Sequence, residues 1–208
     1  MRNSGYIEYP SPEIERREIL RYMGCKGGDG QIDRLVDSCI CESADVLSYK
    51  VVYTEVPISG DGDGIKLGEI MTASRDLKKC LSGCDKAIIF AATVGLGIDR
   101  LINKYGRINP SRAVCFQAIG AERIEALCDA FCKDIAQYYA ESGKKLRPRF
   151  SPGYGDLPLS LQRDIFNLLS CEKRIGLTLN DSLLMSPSKS VTAIVGIYHT
   201  TRKNDENT

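Results

Sequence analysis

The residues best equipped for chemistry stand together as Arg149-Phe150-Ser151-Pro152-Gly153-Tyr154. Pro152 fixes its φ near ~−65°, and Gly153 supplies the positive φ that a type II turn demands, so residues 151–154 are expected to turn and expose their backbone. Arg149 brings a planar fork of donors suited to a carboxylate. Tyr154 offers an aromatic face on which a cation can rest. A carboxylate, a positive centre and a flat base read by backbone groups together describe S-adenosylmethionine. A turn of this composition also occurs with no ligand at all, and residue types alone leave both readings open.

Other chemistry-bearing patterns are weaker. Gly95-Leu96-Gly97 follows an apolar run and opens a helical one, where a dinucleotide fingerprint would sit, but Arg100 holds the third glycine position. A plain strand-to-helix turn is the expectation. Asp61-Gly62-Asp63-Gly64 begins like a calcium loop, yet Ile65 and Thr72 stand where oxygen ligands are required, so a hairpin turn is expected. Cys80 and Cys84 have the first spacing of CxxxCxxC, but the third position is Ala87. Cys128 and Cys132, four apart on a helix, read as small buried apolar residues. The one histidine, His199, lies near the end, which makes a His-rich metal site or a Ser-His-Asp arrangement hard to build. No metal site and no catalytic acid–base group is expected.

Composition narrows the classes further. The chain of 208 residues is 43% hydrophobic and 26% charged, within the range of globular proteins and long enough to bury a real core. Lys and Arg number 28 against 27 Asp and Glu, so the electrostatic footprint of a nucleic-acid binder is missing. No apolar run approaches the ~20 residues of a membrane helix. The polar, acidic start MRNSGYIEYPSPEIERR is unlike a signal peptide. Nine cysteines without a CxxC pair fit a reduced, cytoplasmic setting.

The elements that must position the turn follow from periodicity. Ser11-Pro12 is expected to open a helix that ends at Gly24. Ile32, Leu35, Val36, Cys39 and Ile40 make one face of a second helix, to about Leu47. Residues 49–58 and 65–72 read as a hairpin, followed by a short helix from Ser74. The run KAIIFAAT (86–93) reads as a central strand covered on both faces. A helix over 96–105 should stop at Gly106, and Asn109-Pro110 should open a long core helix to Tyr139. Residues 147–158 are too rich in Pro and Gly for a regular element. Leu161, Ile165, Leu168 and Leu169 mark another helix, and residues 182–185 and 191–198 a second hairpin around Pro187-Ser188-Lys189. No repeat or dividing linker appears, so a single α+β domain over 1–200 is expected, with a helical part at 11–48, the ligand region at 147–198, and a polar tail at 201–208.

Arg149, Gly153 and Tyr154 match the Arg-x-x-x-Gly-Tyr signature of the activation domain of cobalamin-dependent methionine synthase, which this chain resembles. The resemblance continues through LQRDIFNLL, Glu172-Lys173, residues 176–179, Ser182, Met185-Ser186-Pro187 and Ser190-Val191. It is fainter upstream, where Arg123-Ile124-Glu125-Ala126-Leu127 is similar to a family segment bearing a glutamate near the ligand. The sequence departs from the family pattern at Gly155-Asp156, where the synthases usually continue with Pro. It also lacks the tyrosine that follows the last strand there, and the family's N-terminal aspartate has no assigned counterpart among Asp29, Asp33, Asp37 and Asp45.

The resemblance implies a twisted, mainly antiparallel sheet flanked by helices, in a stand-alone form of the domain. It implies S-adenosylmethionine as ligand of Arg149, Gly153, Tyr154, Gly155 and Glu125: Arg149 on the carboxylate, Gly153 for backbone approach, Tyr154 packed on the ligand, Glu125 on the ribose hydroxyls or the amine. The implied function is reductive methylation of cob(II)alamin carried by a partner methionine synthase or related corrinoid protein, with an electron donor such as a flavodoxin. A docking module for a corrinoid protein without a small ligand is the alternative; a free-standing small-molecule methyltransferase ranks third.

Overall fold

The computed structural model describes residues 4–61 and 64–199. The tail 201–208 and residues 62 and 63 of the expected turn lie outside the described residues. In chain order the elements are β1 (Ser4–Tyr9), α1 (Arg16–Tyr22), α2 (Gly30–Ala44), β2 (Tyr49–Asp61), β3 (Gly64–Leu67), β4 (Ile70–Thr72), α3 (Arg75–Cys80) and β5 (Cys84–Thr93). They continue with α4 (Gly97–Ile108), α5 (Pro110–Ala140), β6 (Lys144–Leu146), α6 (Leu161–Leu169), α7 (Cys171–Ile175), β7 (Thr178–Leu179), β8 (Met185–Ser186) and β9 (Ser190–His199).

The architecture is α+β. The main sheet runs β4-β3-β2-β5-β9-β6, with β1 added on β2, and its named pairs are antiparallel. As the apolar run predicts, β5 is central, between β2 and β9. Successive side chains of a strand point to opposite faces. Ile88, Phe90 and Ala92 enter the core under α5, while Ala87, Ile89 and Ala91 enter the core under α6 and α7. Phe131 of α5 anchors the first core, with ring centroids 4.8 Å from Phe90 and 5.5 Å from Tyr53. Asn109 caps α5 by accepting from Arg112 N, and Pro110 takes the first turn, where its missing N–H costs nothing.

Several boundaries differ from expectation. Ser11-Pro12 does not open the first helix, which begins at Arg16. The reason is Arg123, 1% exposed on α5, whose guanidinium donates to Pro12 O and Glu13 O (both 2.6 Å) and pairs with the adjoining Glu122. Glu122 Oε1 in turn accepts from Glu15 N at 2.9 Å. Buried charges require such partners, so residues 12–15 run as a strap. The second helix stops at Ala44, short of Leu47, because Ser48 N is drawn to Val94 O at 3.0 Å.

Residues 65–72 form two strands, β3 and β4, that pair with each other. Helix α4 passes through Gly106: burying Ile98 and Leu101 outweighs the ~1 kcal/mol helix penalty of glycine. The expected hairpin over 182–198 is absent. β8 pairs with β7, whereas β9 pairs with β5 and β6. Asp99 holds the connecting turn through Ser188 N (2.7 Å) and Ser188 Oγ (2.5 Å), which turns the chain away from β8. Strands β1, β6 and β7 and helix α7 have no counterpart in the sequence reading.

Candidate functional site

The stretch after β6 follows the open edge of β9 and then leaves it. Arg147 N bonds Gly196 O at 2.8 Å, and Phe150 exchanges both backbone hydrogen bonds with Ile194 (2.9 and 2.8 Å). The next residues turn as expected: Tyr154 N bonds Ser151 O at 3.1 Å, and Gly153 has φ +92°. Gly153 N reaches Leu157 O (2.9 Å) and Leu157 N reaches Tyr154 O (3.0 Å), which locks the turn onto its own return.

The Gly155-Asp156 pair ties the turn to α3. Asp156 reaches the N-terminus of α3, accepting from Arg75 N (2.8 Å), Asp76 N (3.2 Å) and Ser74 Oγ. Ser74 Oγ in turn accepts from Leu77 N at 3.0 Å, the N-cap of the helix. The Ser74 hydroxyl foremost, with these backbone N–H groups, holds the Asp156 carboxyl below the usual aspartate value. Gly155 has φ +52°, which favours glycine, and a Cβ there would push aside Asp76 Oδ2, 2.2 Å away. The turn is thus tied at one end to β9 and at the other to α3.

Arg149 reaches toward α5, where its Nη2 bonds Glu125 Oε2 (3.0 Å) and Asp129 Oδ1 (2.9 Å), carboxylates four residues apart on one helix face. The guanidinium is half-buried and lines a cleft of about 370 Å³. Glu125 comes from α5, Ser151, Pro152 and Tyr154 from the turn, Gln162 from α6, Met185 from β8, and Ser190, Val191 and Thr192 from β9. Tyr154 stands 69% exposed on the rim. One cation facing two carboxylates leaves a net negative charge, extended by an adjoining groove that holds Glu13, Glu15 and Glu18. The site therefore favours a ligand carrying excess positive charge next to an anionic group.

Of the residues singled out from sequence, Arg149, Tyr154 and Glu125 meet at the cleft, and Gly153 and Gly155 shape the turn beside it. The four N-terminal aspartates do not reach it. Asp29 caps α2, Asp33 and Asp37 pair with Arg16, and Asp45 ends α2. Sequence reasoning missed Gln162 and Thr192. Both carried a signal: Gln162 sits on the apolar stripe of α6 with Ile165, Phe166 and Leu169, and Thr192 shares a strand face with Ile194. A larger hollow of about 930 Å³ beside α6, α7 and β7 includes exposed groups such as Arg163, Glu172 and Lys173. Its lining holds no buried unpartnered polar side chain among the described residues, so the convergent chemistry lies in the smaller cleft.

A family model described as vitamin B12 dependent methionine synthase, activation domain, matches residues 76–204. The fold is similar to a crystal structure of the MetH reactivation domain bound to AdoHcy, with a TM-score of 0.74 and 16% identity, over 96% of this chain and 79% of that one. No curated protein sequence matches.

Proposed function

The chain belongs to the family of vitamin B12-dependent methionine synthase activation domains, and from that premise we propose that its cleft binds S-adenosylmethionine and supports reductive methylation of cobalamin carried by a partner protein. When bound, S-adenosylmethionine supplies a sulfonium methyl group, which passes to the partner's cobalamin after that has gained one electron, leaving S-adenosylhomocysteine. The AdoHcy held by the structural relative supports the choice of ligand.

The observation that carries the reading is the charge arrangement around Arg149. Arg149 binds the ligand's carboxylate, while Glu125 and Asp129, already 3.0 and 2.9 Å from its Nη2, hold the ammonium beside it. The remaining net negative charge suits the sulfonium. Tyr154, at the rim, packs its ring on the ligand, and Gly153, at φ +92°, supplies the bend by which the turn presents Ser151, Pro152 and Tyr154 to the cleft. None of these residues needs to transfer a proton. Their contribution is to position the methyl donor toward a partner, converting a bimolecular encounter into an oriented one.

Two buried polar atoms in the cleft, Gln162 Oε1 and Thr192 Oγ1, have no partner among the described residues, which fits a ligand with hydrogen-bonding capacity of its own. Calorimetric titration with S-adenosylmethionine, alone and with a cobalamin-loaded partner and a reductant such as reduced flavodoxin, tests the reading. Saturable binding and methylation of the partner's cobalamin are expected. Absence of binding in both titrations refutes it.

A further inference from the structure

The cleft has two chemically distinct walls. Arg149 and Glu125 form the charged one, on the α5 side, with Asp129 bonded to Arg149 from the adjoining groove. The other is neutral: Gln162 on α6 and Thr192 on β9, 6% and 2% exposed, each with a side-chain oxygen that no group among the described residues satisfies. Leaving such groups unpaired is destabilising. The backbone beneath them is also open. Ile194 turns its N–H and C=O to Phe150, so by the alternation of an antiparallel strand Thr192, two residues earlier, turns its own to the same edge. The residue two beyond Phe150 is Pro152, which has no N–H to give. No loop hydrogen bond reaches the Thr192 backbone among the described residues.

We propose that Gln162 and Thr192 determine base specificity: they read the edge of the ligand's purine, Gln162 Oε1 accepting from an exocyclic amino group and the Thr192 hydroxyl donating to the adjacent ring nitrogen. This rests on the nucleoside-binding reading above and extends it from the charged end of the ligand to the uncharged end. An amino group beside a ring nitrogen is the edge of adenine. Hypoxanthine presents the reverse, a carbonyl beside an N–H, and sets acceptor against acceptor at Gln162 in its present orientation, so that the amide must turn its Nε2 to the base to bind it.

The test is calorimetric titration of the full chain with S-adenosylhomocysteine and with S-inosylhomocysteine, using wild type, Gln162→Leu, Thr192→Val and Arg149→Ala. Wild type should prefer the adenosyl compound by about 10-fold or more, and each neutral-wall variant should lose about 3- to 10-fold in affinity for it while narrowing that preference. Without ligand both variants should unfold at the same temperature as wild type or higher, because each removes an unsatisfied buried group. Arg149→Ala should weaken both nucleosides together and leave their ratio unchanged. Equal binding of the two compounds by wild type, or variants that keep the wild-type ratio, would overturn base reading by these residues while the proposed function stands. If wild type binds neither compound, base reading by these residues falls, and the titration with a cobalamin-loaded partner decides the proposed function.

Discussion

Replacing Gly153 by alanine separates the turn's role in folding from its role in binding. At φ +92° an L-residue is strained by roughly 1–3 kcal/mol. Sterics add little: the new Cβ would meet Leu159 Cδ1 at 3.3 Å, and Leu159 is 41% exposed and can give way. The chain can escape the strain by flipping the peptide between Pro152 and residue 153, but the flipped N–H no longer reaches Leu157 O. That forfeits a 2.9 Å hydrogen bond, about 0.5–1.5 kcal/mol. The cheaper route sets the loss at about 0.5–1.5 kcal/mol, which in a domain of this size lowers Tm by roughly 1–6 °C. Gly143→Ala is the control. Its φ is +69°, its Cβ would meet nothing within 4 Å, and it lies outside the turn whose residues line the cleft. Thermal unfolding and S-adenosylmethionine titration of both variants should show two comparable falls in Tm but weakened binding in Gly153→Ala alone. If Gly153→Ala keeps both wild-type Tm and wild-type affinity, the turn is not what shapes the site.

Three further outcomes are expected. Arg149→Ala removes a charge-assisted bond worth about 1.5–3 kcal/mol, so calorimetry should show S-adenosylmethionine binding 10- to 150-fold weaker; unchanged affinity places the carboxylate elsewhere. Asp156 has a depressed folded-state pKa, so its stabilising contribution is full above the ordinary aspartate value of about 3.9 and disappears as pH falls through the lower folded value. Urea unfolding of wild type and Asp156→Asn from pH 6 down to 2 should give a stability difference that shrinks toward acid, and a difference constant across that range contradicts the assigned cap. Phe131→Ala empties a fully buried site between Phe90 and Tyr53 and should lower unfolding free energy by about 3–5 kcal/mol in urea; a loss under 1 kcal/mol means the core has collapsed around it.

Much of the fold was legible because the dominant signals were local. The unbroken apolar run at 86–93 could only be a strand covered on both faces, and Asn109-Pro110 marked the start of α5 at the observed residue. The turn at residues 151–154 was equally readable, since proline and glycine restrict φ residue by residue. What was not legible depended on distant partners. Ser11-Pro12 has the chemistry of a helix start, but the buried guanidinium of Arg123, over a hundred positions away, claims the carbonyls that follow it. β9 was visible as a strand, yet its choice of β5 over β8 depends on Asp99 gripping Ser188. In the site, Arg149 and Tyr154 announced themselves by type. Gln162 and Thr192 matter only because they are buried and unpaired, which needs coordinates to see.

The Arg123–Glu122 pair also bears on how the chain could be cut. It rivets the strap at residues 12–15 to the middle of α5, one turn from Glu125, and the acidic groove beside the cleft is walled partly by that strap. Trimming the chain to the residues that match the family model would strip the guanidinium of two carbonyl acceptors and the sheet of β2, the flank of its central strand. The recognisable portion is therefore not a self-sufficient fragment: its ligand wall is held up from a stretch whose sequence bears little trace of the family.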